Sequence, residues 1–192
     1  KGNVSRATYE TDIQMELEID GTGEATINTG IPFLDHMLIL FSKHGLFNLN
    51  VRVKGDIEVD SHHTIEDTGI VLGQCIAKAV GDKKGIQRYG HIMLPMDETL
   101  VLCALDLSGR AYLAFDATFT TPAVGGYDTE MVEEFFRAVC MGAGINMHLK
   151  VLDGKNNHHM IEALYKAFAR ALDTATRIDH RVQGVPSTKG IL

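Results

Sequence analysis

The residue types best placed to do chemistry occur in one pattern used twice: Ser61-His62-His63-Thr64-Ile65-Glu66 and Asn157-His158-His159-Met160-Ile161-Glu162. Four of the nine histidines lie in these copies. Neutral imidazole is the commonest protein ligand for a transition metal, and a glutamate three or four residues further along a helix shares its face. Adjacent helical residues point about 100° apart, so neither His-His pair is expected to close on a single ion. Each copy is expected instead to give one histidine to each of two ions. Glu66 and Glu162 then supply carboxylate oxygens, with His36 and Glu134 completing the shells. Imidazole and carboxylate without thiolate suit manganese, iron, nickel or zinc, manganese if the geometry is octahedral. One isolated His-His pair at a helix start is ordinarily a cap or a surface pair. Two copies with a glutamate at the same offset favour metal.

The elements around the copies also repeat. Helical Leu34-Asp35-His36-Met37-Leu38, Gly45 and strand-like Leu46 to Val53 precede the first; helical Val132 to Arg137, Gly144 and strand-like Ile145 to Val151 precede the second. In this alignment Glu134 falls opposite His36. The alternation of Tyr9, Thr11, Ile13, Met15, Leu17 and Ile19 with charged or polar neighbours predicts one strand from about Arg6 to Ile19. The turn Asp20-Gly21-Thr22-Gly23 predicts a hairpin into residues 24–28. A second hairpin is predicted from Leu100 to Leu107 and Ala111 to Phe115, joined by Ser108-Gly109-Arg110. Each half thus reads β-β-α-β-α, an α+β arrangement with a small mixed sheet carrying helices on one face, the halves being 1–86 and 87–192. No linker separates them, so they are expected to fold as one compact unit.

Composition narrows the function classes. A net charge of −7 works against a general nucleic-acid surface, so the basic residues that matter must be local. No run is apolar enough to cross a bilayer and no leader opens the chain, which predicts a cytoplasmic protein with no membrane partner. Cys75, Cys103 and Cys140 are widely spaced and lack a C-x-x-C pair, against a disulfide framework or a thiolate zinc site. His44 and His91 read as ordinary polar histidines, His148 as a strand residue able to orient a ligand, and His180 as solvated. The tail Pro186-Ser187-Thr188-Lys189-Gly190 is polar and ordinarily frayed.

Over essentially its whole length the chain resembles the imidazoleglycerol-phosphate dehydratase family of histidine biosynthesis. The resemblance rests on Arg6 to Thr11, Gly30 to Met37, Asp60 to Asp67, Pro95-Met96-Asp97-Glu98, Asp106 to Arg110, the second His-His-x-x-Glu followed by Lys166-Ala167-Phe168, and Pro186 to Gly190. It implies loss of water from imidazole-glycerol phosphate to give imidazole-acetol phosphate, with two manganese ions per active site. It also implies a cage of twenty-four chains built from trimers, with active sites between subunits. Metal ligands carry over to His36, His62, His63, Glu66, His158, His159 and Glu162. Glu134 stands at a ligand position that is often histidine in the family; glutamate still binds manganese but adds negative charge.

The hydrogen removed in that reaction is on a carbon beside the imidazole ring with no carbonyl to acidify it. The resemblance implies a metal-stabilised imidazolate that expels the adjacent hydroxyl and leaves a diazafulvene-like intermediate. A carboxylate must take the carbon-bound proton, and the resemblance gives that role to Glu10, with His62, Glu66, His159 and Glu162 as the other catalytic residues. No P-loop is present. The phosphate is assigned by resemblance to Arg88, Arg110, Lys166, Ser187 and Lys189, with Thr188, His36 and His44 also toward the substrate. Lys166 lies eight residues after His158, about two helical turns, so one helix would carry both metal and phosphate ligands. Two other classes fit the His-His motifs: a metal-binding cage protein without catalysis, and a dinuclear metallohydrolase of phosphoesters. A cage protein leaves Arg88, Arg110 and the tail unexplained; a hydrolase would cleave a phosphoester rather than dehydrate.

Overall fold

The computed structural model describes residues 1–192. Its elements are β1 (Gly2–Ala7), β2 (Thr11–Glu18), β3 (Ala25–Asn28), α1 (Pro32–Gly45), β4 (Asn48–Gly55), α2 (His62–Val80), β5 (Tyr89–Met96), β6 (Thr99–Asp106), β7 (Tyr112–Asp116), β8 (Ala123–Val124), β9 (Tyr127–Asp128), α3 (Glu130–Ala143), β10 (Asn146–Asp153) and α4 (Asn157–Thr176). They build two mixed four-stranded sheets of the same order, β1-β2-β4-β3 and β5-β6-β10-β7, and a small β8-β9 ribbon. The α+β architecture with helices against the sheets is the one expected. Each sheet holds one strand more than the sequence reading gave.

The differences have local causes. Alternation runs unbroken through Tyr9 and Thr11, but the chain turns at Thr8–Glu10, where Thr8 Oγ1 accepts from the backbone N–H groups of Glu10 and Thr11. The strand expected from Arg6 to Ile19 is therefore the antiparallel pair β1 and β2. The hairpin expected between β2 and β3 does not form. Asn48 Oδ1 accepts from the backbone of Thr22 and Glu24 at 2.8 and 3.1 Å, tying that loop to the start of β4. β3 then lies parallel to β4 on its far side. A strand followed by a helix returns parallel, which is what β3-α1-β4 does. The second expected hairpin fails for the same reason. β7 runs through α3 to β10 and pairs parallel with it, while β6 forms its hairpin with β5 through Asp97 and Glu98.

β2 buries Thr11, Ile13, Met15 and Leu17 and exposes the residues between, so only one face of its sheet meets the helices. The helices meet in pairs, α1 with α4 and α2 with α3. Phe41 of α1 stacks on Phe168 of α4 at 5.2 Å, and Phe136 of α3 meets Phe168 edge-on at 5.7 Å. On α2, a Cβ added at Gly73 would lie 2.5 Å from the carbonyl oxygen of Val139. One added at Gly142 of α3 would lie 2.5 Å from that of Ile70, so glycine lets the two backbones touch. A single cluster of 45 buried residues runs through both halves, which makes them one core rather than two. Cys75, Cys103 and Cys140 are buried in it as free thiols. No helix is long and apolar enough to cross a membrane.

Candidate active site

Both His-His motifs open a helix. Asn156 caps α4, its side chain accepting from the His159 N–H at 3.1 Å, and Asp60 accepts from the His62 N–H at 2.8 Å. Pro32 starts α1, and Asp35 accepts from the backbone and hydroxyl of Thr29 at 2.8 and 2.6 Å, which sets the register of His36. Because α1 packs on α4, His36 meets the second motif. The Nε2 atoms of His36 and His158 lie 3.5 and 3.1 Å from Glu162 Oε2, and ligand atoms of all three residues fall within 4.8 Å of one another. The donor set, two imidazoles and a carboxylate with no thiolate, fits manganese or a similar divalent ion. Lys166, one turn on, holds the other Glu162 oxygen at 2.6 Å. Burial pushes the Glu162 carboxyl up, but hydrogen bonds from Lys166 and His158 and the Lys166 and His36 charges outweigh it and hold it below the usual range.

The first motif makes a different local site. His62 Nε2 is 3.5 Å from Glu66 Oε2, and the α2-α3 contact places Glu66, Ile70, Glu134 and Arg137 along one hollow of about 280 Å³. Glu134 shares a hollow with Glu66 across one helix pair, as His36 meets Glu162 across the other, but ligand atoms close up only in the second case, and the neighbour of Glu134 is Arg137, at 4.0 Å. Within one chain the two motifs do not share a cluster. His63 faces Asp56 and Glu10, and His159 faces Glu98 and Asp97, while His62 and His158 face Glu66 and Glu162, in line with the expectation that adjacent histidines diverge.

The Nδ1–H groups of His63 and His159 each donate to a carboxylate, Asp56 at 2.9 Å and Glu98 at 2.8 Å. Those bonds, ahead of the opposing effect of desolvation, raise both imidazole pKa values, while the His159 bond brings Glu98 down to about 2. Each leaves Nε2 as the nitrogen open to a ligand. Sequence reasoning missed Asp56 and Glu98 as orienting groups, since nothing about their spacing marks a partner 7 or 61 positions away. Glu10 lies in the turn between β1 and β2, not on a strand as the sequence reading had it. Its carbonyl accepts from Asp56 N–H at 3.0 Å, and its Oε1 is 3.7 Å from His63 Nε2. Arg6 and Thr11 fasten that turn to α2 through Asp67, at 2.6 and 2.5 Å.

The residues expected to hold phosphate divide into two places. Arg88, Arg110, Ser187, Thr188 and Lys189 line one cavity of about 530 Å³ against the tail. The Arg88 guanidinium binds Asp106 through Nε and Nη2 at 2.6 and 3.0 Å and the Pro186 carbonyl through Nη1 at 2.8 Å. Of its five N–H groups two remain for a ligand. Lys166 is elsewhere. Arg88 N–H donates to the Ala175 carbonyl near the end of α4, nine residues or about 13 Å of helix from Lys166. His44, two turns after His36 on α1, is lowered by burial first and then by the Lys166 charge, which places it toward Lys166 and Glu162 rather than the tail.

A sequence model described as imidazoleglycerol-phosphate dehydratase matches residues 29–172. The chain is 61% identical over 192 residues, 100% of its length and 98% of the relative's, to the imidazoleglycerol-phosphate dehydratase of Acetivibrio thermocellus. It is 62% identical over 187 residues, 97% of the chain and 95% of the relative, to that of Lachnoclostridium phytofermentans. The chain belongs to the imidazoleglycerol-phosphate dehydratase family. Solved structures agree. The dehydratase of Staphylococcus aureus superposes with a TM-score of 0.82 at 43% identity, covering 93% of this chain and 99% of that one. The Pyrococcus furiosus structure, solved in complex with (S)-C348, gives 0.84 at 33% identity, covering 98% and 100%. The chain is therefore an enzyme of the dehydratase family, and its site is to be read as that of a lyase.

Proposed function

We propose that this enzyme dehydrates imidazole-glycerol phosphate to imidazole-acetol phosphate in histidine biosynthesis, using two manganese ions at each active site. The observation that carries the reading is the His36-His158-Glu162 donor set within 4.8 Å, with Lys166 beside it. The metal, when bound, supplies Lewis-acid polarisation of the substrate's ring nitrogen and hydroxyls. His36, His158 and Glu162 would hold one ion, and His62, His63, Glu66, Glu134 and His159 are the remaining ligand residues. Glu10, exposed at a turn fastened to α2, takes the proton from the carbon beside the ring. The two free Arg88 N–H groups, Arg110, Ser187, Thr188 and Lys189 grip the phosphate. Lys166 keeps Glu162 ionised and available as a ligand.

In one chain the two His-His motifs, and Lys166 and the Arg88 cavity, lie apart, while a small substrate must touch metal and phosphate ligands at once. We take this to mean that residues of neighbouring copies complete each site, as a cage of twenty-four chains built from trimers would arrange. The same reading treats 1–86 and 87–192 as the two halves of a duplication, with sheets of one order.

The test is turnover of imidazole-glycerol phosphate by chelated protein with and without added manganese, with mass measured by light scattering. Manganese-dependent product from a large assembly is the expected result. Metal uptake and assembly without product would overturn dehydration and favour a metal-binding cage; release of inorganic phosphate would favour a hydrolase.

A further inference from the structure

Asp97 stands in the second half where Glu10 stands in the first. Both lie in the connection between the first two strands of a sheet, β1-β2 for Glu10 and β5-β6 for Asp97. Both aim a carboxylate at the outward nitrogen of the second histidine of a motif. Glu10 Oε1 is 3.7 Å from His63 Nε2, and Asp97 Oδ2 is 3.8 Å from His159 Nε2. Those distances are too long for hydrogen bonds, so the oxygens remain free to accept one from a ligand that approaches carboxylate and ring from the side. The Asp97 side chain is 77% exposed.

The backbone fixes where that carboxylate stands. Asp97 is the first of two residues between the paired Met96 and Thr99, and its φ is +50°. Two-residue hairpins favour glycine, asparagine or aspartate at such a position, because a short or absent side chain tolerates positive φ. Aspartate is at home at this corner, which holds its carboxylate out beside the His159 ring. The longer turn of the other half carries Glu10 with negative φ.

We propose that Asp97 is a substrate-contacting carboxylate, accepting a hydrogen bond from a hydroxyl of the substrate's glycerol chain beside His159 Nε2. The proposal rests on the dehydration reading, which supplies the hydroxyls. Glu10 then acts on the carbon-bound proton while Asp97 fixes the chain that bears it. The two carboxylates have the same geometry toward their histidines but different work.

The test uses Asp97→Gly and Asp97→Asn, both at home with positive φ, alongside the parent enzyme. Turnover of imidazole-glycerol phosphate, melting temperature and manganese bound per chain are read for each. A hydrogen bond to a charged acceptor implies a loss of about ten- to hundredfold in kcat/KM for Asp97→Gly, less for Asp97→Asn, whose amide oxygen still accepts. Melting temperature should hold or rise and manganese uptake should match the parent. If both variants keep kcat/KM within about twofold of a working parent, Asp97 only shapes the turn and the proposal fails. If manganese uptake falls with activity, Asp97 serves the metal instead, and the proposal also fails. A parent that does not turn the substrate over removes the dehydration reading, and this proposal with it.

Discussion

The two His-His-x-x-Glu motifs share spacing, helix position and an orienting carboxylate, yet their glutamates live in different electrostatic settings. Glu162 is buried, its side chain 10% exposed, with Lys166 on one oxygen and His36 and His158 at the other. Glu66 is 42% exposed, has Ile70 where the second copy has Lys166, and faces Glu134 where the second has His36. A repeat thus preserves the positions of donors while their charge diverges. The second half holds its carboxylate ionised without metal; the first has no lysine on Glu66, and its Glu134 lies near Arg137 instead.

The largest expected effect tests whether the first half owns the proton-removing group. Glu10→Gln should lower kcat by about 10²- to 10⁴-fold with manganese content and assembly unchanged; near-normal turnover would take the base away from this half. Next, the lysine can be exchanged between halves. Lys166→Met should cost about 2 to 3 kcal/mol in denaturant unfolding of the metal-free protein, since it strands a buried carboxylate, whereas Ile70→Lys beside exposed Glu66 should stay within about 0.5 kcal/mol. Equal costs would mean that the two glutamates sit in equivalent settings.

Gly73→Ala probes what brings Glu66 and Glu134 together. Adding a methyl against the Val139 carbonyl should cost about 1 to 3 kcal/mol and weaken metal uptake at the first motif more than at the second. The smallest effect concerns acid stability. Glu98 has a carboxyl lowered from 4.5 to about 2, so its contribution is complete above pH 4.5 and is lost as pH falls toward 2. Glu98→Gln should flatten that part of the acid-unfolding curve of metal-free protein and leave the neutral region unchanged; an unaltered acid limb would mean that the His159 contact carries no stability.

Much of this was legible in the sequence because it is local. The spacing of His158, Glu162 and Lys166 sets their common helix face, and the position of Glu134 opposite His36 appears in space as the matching helix pairs. What was not legible depends on partners distant in the chain. Alternation tells which side of β3 is buried but not that its neighbour is β4, which Asn48 and the α1 crossover decide. Period two also cannot reveal the Thr8 hydroxyl that turns the chain and puts Glu10 at an exposed corner. Asp56 and Glu98 look like ordinary turn carboxylates until folding brings an imidazole to each.

The three buried thiols offer an experimental opening. Burial pushes Cys75 up to about 11, Cys140 up to about 12, and Cys103 higher still, so almost none is thiolate at neutral pH. The wild-type chain is therefore close to silent toward thiol-directed reagents without removing a single native cysteine. A lone reporter cysteine in place of exposed Met141, at the rim of the Glu66-Glu134 hollow, would carry a fluorophore or spin label against almost no background. It would let metal arrival at the first motif be followed in real time.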